Sequence, residues 1–196
     1  MTPVVMPIGD KNTIPINTSE VLRYLGVKSQ DSATEALMDE CIKDIYKVAE
    51  PKAVYCEAEI DVGNDTVDFG FMRVKSEKLA KNLCGCYKAY IFCATLGMGV
   101  DRQFERLSRI SPAKAAVFSA VGSSLVEGLC DRVNEAIVGE EISRPRFSCG
   151  YGDFSLTHQS DILNALEAGK RIGVFLTESY MMVPVKTVTA VIGIRR

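Results

Sequence analysis

One uninterrupted helix constrains this sequence more than any other feature. Ser111-Pro112 pairs an N-cap residue with proline at the first helical position, and no second proline intervenes before the stop at Gly139. The spacing therefore predicts a helix from Pro112 to about Val138, which at 1.5 Å per residue is roughly 40 Å long. Setting residues 100° apart puts Val126, Leu129, Cys130, Val133 and Ile137 on one arc. Ser123, Ser124, Glu127, Asp131 and Asn134 fall together on the other arc. Gly122 and Gly128 leave room for close approach by a neighbouring backbone or a ligand. A fold for this chain must cover one arc and leave the other available.

The flanking segments supply the cover. Ile14-Pro-Ile16 reads as extended, followed by a short helix capped by Thr18 or Ser19 and stopped by Gly26. Leu37, Cys41, Ile45 and Val48 recur at helical spacing between Asp31 and Glu50, and Pro51 closes that segment. Period two then takes over, with Val54, Cys56, Ala58, Ile60 and Val62 alternating with polar residues and Tyr55. Gly63-Asn64-Asp65 turns the chain into a second run at Val67, Phe69 and Phe71, a β-hairpin.

After a short helix near Ser76–Leu83, the near-continuous apolar run Tyr87–Leu96 reads as a central strand. Gly97-Met-Gly99 breaks it, and Val100, Phe104 and Leu107 mark the next helix. Beyond the long helix, residues 139–157 form an irregular loop and a helix spans about Gln159–Glu167, with Gly169 and Gly173 after it. Val174 to Ile194 is rich in β-branched residues, with Pro184 at a turn. The expected class is α+β, a mostly antiparallel sheet with a long helix and several shorter ones. At 196 residues the chain suits one domain, 1–196, to which residues 1–30 form an N-terminal appendage.

Composition narrows the function. A formal charge of −2 opposes electrostatic nucleic-acid binding, and 47% hydrophobic with 24% charged residues opposes disorder. No apolar stretch approaches the roughly 18–20 residues of a bilayer span. The N-terminus lacks a basic region before any apolar run, so the expected location is the cytoplasm. Seven scattered cysteines without a C-x-x-C pair read as small core hydrophobes, and with His158 as the one histidine no metal site is expected.

Four places carry ligand-capable groups. Gly97-Met-Gly99 after a strand invites a dinucleotide or Rossmann-type methyltransferase reading, but Arg102 stands where the third glycine belongs. Glu127 and Asp131, one turn apart, form either a solvated face or a paired-carboxylate site. Arg146-Phe-Ser-Cys-Gly-Tyr-Gly-Asp153 combines a planar cation, two glycines that permit positive φ, and a tyrosine held out on a tight bend. His158 reads as a surface or capping residue. A D-x-H-x-x-G corrinoid motif would need Asp at 156 and Gly at 161, where the chain has Leu156 and Asp161.

Three segments carry a family likeness. Val126-Glu-Gly-Leu-Cys-Asp-Arg-Val133, Arg146-x-x-x-Gly150-Tyr151 and Leu176-Thr-Glu-Ser-Tyr-Met-Met-Val-Pro184 occur in the order and with the gaps of the activation (reactivation) domain of cobalamin-dependent methionine synthase. The chain resembles a short, free-standing form of that domain. Residues 122–196 carry the resemblance, and the first 120 match loosely, through the long-helix architecture and Thr95-Leu-Gly97.

The resemblance implies S-adenosylmethionine binding and reductive remethylation of a cob(II)alamin-bearing partner, acting in trans, with flavodoxin or a similar reductant as electron source. It implies that Arg146 grips the methionine carboxylate and that Ser148 and Gly150 line the site. Glu127 fixes the polar end, and Tyr151 reaches toward cobalt as the catalytic residue. Asp131 and Glu178 are placed at the corrinoid docking face, and cobalamin comes on the partner, with no axial His from this chain. Cys149 departs from the family's proline before Gly-Tyr, and Ile192 stands where the fused domain has an aromatic residue. A module that docks a corrinoid methyltransferase without using S-adenosylmethionine is the alternative.

Overall fold

The computed structural model describes residues 2–27 and 31–196. In chain order the elements are β1 (Val4–Met6), α1 (Thr18–Leu25), α2 (Ser32–Val48), β2 (Lys52–Glu59), β3 (Asp61–Val62), β4 (Thr66–Asp68) and β5 (Arg73–Lys75). There follow α3 (Glu77–Leu83), β6 (Cys86–Thr95), α4 (Met98–Ile110) and α5 (Pro112–Val138). Last come α6 (Gln159–Ala165), α7 (Ala168–Ile172), β7 (Phe175–Leu176), β8 (Met182–Val183) and β9 (Thr187–Arg195).

The main sheet has the order β1-β2-β6-β9, and every pair is antiparallel. β6 reads as a continuous apolar run because both of its faces are covered. Phe92 and Ala94, with Ala190 and Ile192 of β9, meet the layer of α1, α2, α4 and α5. Ile91 and Cys93, with Val54, Cys56 and Val191, meet α3, α6, α7 and the small β3-β4-β5 sheet. The α+β class and the inner position of β6 agree with the sequence reading.

The long helix forms where its caps dictate. Ser111 Oγ accepts from the Lys114 N–H, and the Gly139 N–H donates to Glu135 O at 3.0 Å. α5 is long and apolar enough to cross a bilayer by length and composition, contrary to the expectation of no such stretch, yet 67% of its apolar window is buried inside the fold. Gly128 is needed where α5 meets the N-terminal segment, since a Cβ there would collide with the Pro15 carbonyl oxygen. One turn earlier, Ser124 is buried and not part of the free polar arc. Its hydroxyl accepts from the Asn17 N–H at 2.8 Å and donates to Asn17 O at 3.2 Å.

Local differences have local causes. Asn17, not Thr18 or Ser19, caps α1, its side chain accepting from the Ser19 and Glu20 N–H groups. The expected strand 54–62 breaks at Ile60, after which Asp61-Val62 leaves the main sheet to pair with β4, and β5 completes a small sheet. Phe104 is exposed while Val100 and Leu107 are buried. The helix starting at Gln159 ends at Ala165, and Gly169 lies inside the separate helix α7.

Candidate functional site

The site is built on the β9 edge of the sheet. Phe147 and Val191 exchange backbone hydrogen bonds at 2.9 Å, the Arg144 N–H donates to Gly193 O at 2.8 Å, and the Arg195 N–H donates to Ile142 O at 2.9 Å. These bonds lay residues 142–147 along β9 and bring Arg146 against α5. Its guanidinium donates to Asp131 Oδ1 at 2.6 Å and to Glu127 Oε2 at 3.1 Å. Burial pulls the guanidinium pKa down, but the Asp131 bond and the neighbouring Glu127 charge outweigh it and hold the value above the ordinary one.

The next turn is tied at both ends. The Gly150 N–H donates to Phe154 O at 2.7 Å and the Tyr151 N–H to Ser148 O at 3.2 Å, with φ of +89° at Gly150 and +60° at Gly152. The Asp153 carboxylate accepts from the Ser76 hydroxyl and from the Glu77 N–H at 2.8 Å, pinning the turn to the N-terminus of α3. The Ser76 bond, then those backbone donors, hold the Asp153 carboxyl below the usual range. Phe154 is buried and stacks on Phe147, ring centroids 6.4 Å apart. The consequence is a rigid bend that presents Tyr151 with 68% of its surface exposed. Cys149 beneath it is buried, and burial pushes its thiol up to about 12.

A hollow of about 830 Å³ opens beside this bend. Of the expected site residues, Glu127, Arg146, Ser148 and Tyr151 stand on its wall. Asp131 belongs to the cluster through its bond to Arg146, and Gly150 acts by shaping the turn rather than by lining the hollow. Glu178 is exposed outside the wall, whereas Tyr180, Met181 and Met182 from the same segment line it. His158 Nδ1 lies 3.0 Å from Asp161 Oδ2, with its ring against Phe154. Ile192 is fully buried in the α5 layer and does not reach the hollow.

The Rossmann-type reading of Gly97-Met-Gly99 is overturned. β6 is antiparallel to both neighbours, so it starts no βαβ unit, and the glycines serve packing. A Cβ on Gly97 would crowd Glu50, and one on Gly99 would collide with the Val48 carbonyl oxygen.

Two features went unread in the sequence. Lys186 Nζ donates to Ser119 Oγ at 3.1 Å and Ser123 Oγ at 2.8 Å, and burial pushes its ammonium pKa down. Ser119, Ser123, Glu127 and Asp131 thus recur every four residues along one stripe of α5, with Lys186 on the first pair and Arg146 on the second. The i, i+4 spacing was visible, but the cations that meet it come from other segments. The second unread residue, Gln159, is 4% exposed on the hollow wall.

An antiparallel four-stranded sheet with a long helix on one face and a hollow at its β9 edge defines the α+β fold of this chain. One solved structure that shares it is a crystal structure of the MetH reactivation domain bound to AdoHcy, with a TM-score of 0.70 and 15% sequence identity. The match covers 98% of this chain and 77% of that one, so the likeness in fold extends through the N-terminal half that the sequence motifs matched loosely. No family model and no curated protein matches the sequence.

Proposed function

We propose that this chain binds S-adenosylmethionine in the β9-edge hollow and supports reductive remethylation of a corrinoid protein, acting in trans. The observation that carries the reading is the Arg146–Glu127 pair, a cation and an anion 3.1 Å apart on the hollow wall. An α-amino acid end has the complementary pair, a carboxylate for the Arg146 fork and an ammonium for Glu127. The solved protein of like fold holds AdoHcy, and a hollow of about 830 Å³ falls within the size of small-molecule sites.

The residues fit such a ligand. The sulfonium supplies an already activated methyl group, so the chain's task is positioning. Arg146 and Glu127 fix the amino-acid end, the Ser148–Gly150 backbone flanks it, and Tyr151 stands at the mouth. Tyr151, Leu156, Tyr180 and Met181 form an exposed apolar rim, and we place the partner's cobalamin domain against it. Cobalt arrives on that partner, and a flavodoxin-like reductant supplies the electron. The whole chain, 1–196, acts as one activation-type domain in the cytoplasm.

Calorimetry with S-adenosylmethionine and S-adenosylhomocysteine, alone and with a partner cobalamin domain, tests the proposal. Binding in either setting is the expected result, and none in both overturns it. One observation favours the alternative of a docking module that does not use the donor: the Arg146 fork is filled by the chain's own Asp131 and Glu127. In that case Arg146→Ala docks and reactivates like the wild type.

A further inference from the structure

Gln159 is the first residue of α6, and its backbone N–H closes the preceding turn onto the Leu156 and Thr157 carbonyls. The residue is 4% exposed and lines the hollow. Its amide is not among the buried polar atoms left without a partner, so it meets the interior of the hollow, where a ligand or water can pair it. A carboxamide offers one acceptor beside two donors, so the ligand edge that matches it has a donor next to an acceptor.

The surroundings narrow the class. Cys149, a thiol pushed up to about 12 and therefore uncharged, shares this part of the wall with Leu156 and Tyr151. Leu156 lies over Gly150, its Cδ2 3.1 Å from where a Cβ on that glycine would stand. This part of the wall is thus largely apolar and bordered by an aromatic ring, with Gln159 as its neutral polar reader and the Asp161 carboxylate near Cys149. A planar heterocycle suits it, and glutamine pairs two-fold with the 6-amino group and adjacent ring nitrogen of adenine.

We infer that Gln159 reads the 6-amino edge of the adenine ring, from the α6 side of the hollow whose α5 side holds Arg146 and Glu127. This inference rests on the functional reading above and adds the specificity-determining group for the nucleoside end. Gln159 positions and selects the ligand and takes no part in bond making.

The test uses the full chain, S-adenosylhomocysteine, and its purine analogue lacking only the 6-amino group, titrated by calorimetry. Wild type is expected to favour the amino ligand by about tenfold, the worth of one hydrogen bond. In Gln159→Leu the amino ligand weakens by about tenfold and the two ligands come within about twofold of each other. Gln159→Met, which keeps the chain length without the amide, gives the same pattern and guards against a packing defect, with thermal midpoints recorded for both variants. Equal affinity of wild type for the two ligands, or unchanged selectivity in both variants, overturns the inference while leaving S-adenosylhomocysteine binding and the functional reading intact. Failure of wild type to bind either ligand, both alone and with a partner cobalamin domain, overturns both.

Discussion

Arg146 and Asp131 lie fifteen residues apart in sequence and are joined by a 2.6 Å hydrogen bond across the gap between the β9 edge and α5. A ligand carboxylate that uses the Arg146 fork must displace this contact. The Asp131 side chain is 62% exposed, so the pair is worth no more than about 1 kcal/mol. Asp131→Asn is therefore expected to raise affinity for S-adenosylhomocysteine by up to about fivefold. Glu127→Gln removes the partner of the ligand ammonium and lowers affinity by about tenfold. Titration calorimetry at one ionic strength checks both, and a loss of affinity in Asp131→Asn would count against the displacement model.

Replacing Gly128 by alanine sets two effects against each other. Helix propensity favours alanine by about 1 kcal/mol. The collision with the Pro15 carbonyl oxygen forces α5 away from the N-terminal segment, and overpacking of this kind costs about 1–3 kcal/mol. The clash is with backbone and has no flexible side chain to yield, so Gly128→Ala is expected to lower the urea midpoint. A stabilised variant would contradict the contact.

Asp153 gives the fold an acid-sensitive fastening. Its carboxyl is held below the ordinary value in the folded state, so as pH falls the unfolded chain takes up the proton first. The contribution is complete above the ordinary carboxyl range and disappears as pH drops through the folded value. Asp153→Asn should be less stable at neutral pH and should lose less stability on acidification than the wild type. Denaturation followed by circular dichroism at neutral pH and at pH values below the ordinary carboxyl range reads the difference in slope.

The thiols should separate by reactivity. Cys84 is exposed, whereas burial pushes Cys41 and Cys56 up to about 11 and Cys149 up to about 12, and raises Cys93 and Cys130 further. Brief alkylation of the native protein at neutral pH is expected to modify Cys84 first. Mass spectrometry showing Cys149 modified before Cys84 would mean that the Tyr151 bend opens readily.

What the sequence made legible was whatever a local rule governs. The caps of α5, the alternation of β2 and the doubly covered β6 follow from spacing alone, because their partners only need to be apolar. β1 was missed because Val4 and Val5 are exposed and the strand is held by backbone bonds to β2 that leave no pattern in side chains. Phe104 was misread because helical periodicity marks a residue's place on the arc and not how far its cover extends. The loop groups of the candidate site were visible as chemistry, yet the Arg146–Asp131 bond and the Lys186–Ser123 contact were not. Each depends on where β9 lies relative to α5, and that is settled by a sheet order no local rule supplied.

The hollow draws its wall from α5, from the segment after it, from α6 and from the stretch leading into β9. β9 pairs with β6 about a hundred residues earlier in the chain, Ile91 facing Val191. During synthesis, α5 and the Arg146 bend therefore leave the ribosome with no edge to dock on, and Arg146 has no fixed place beside Glu127. On the proposed function, ligand recognition appears only once β9 has zipped onto β6. A ligand present in the cell at that moment would act on folding itself, favouring the chains in which β9 has found its register on β6.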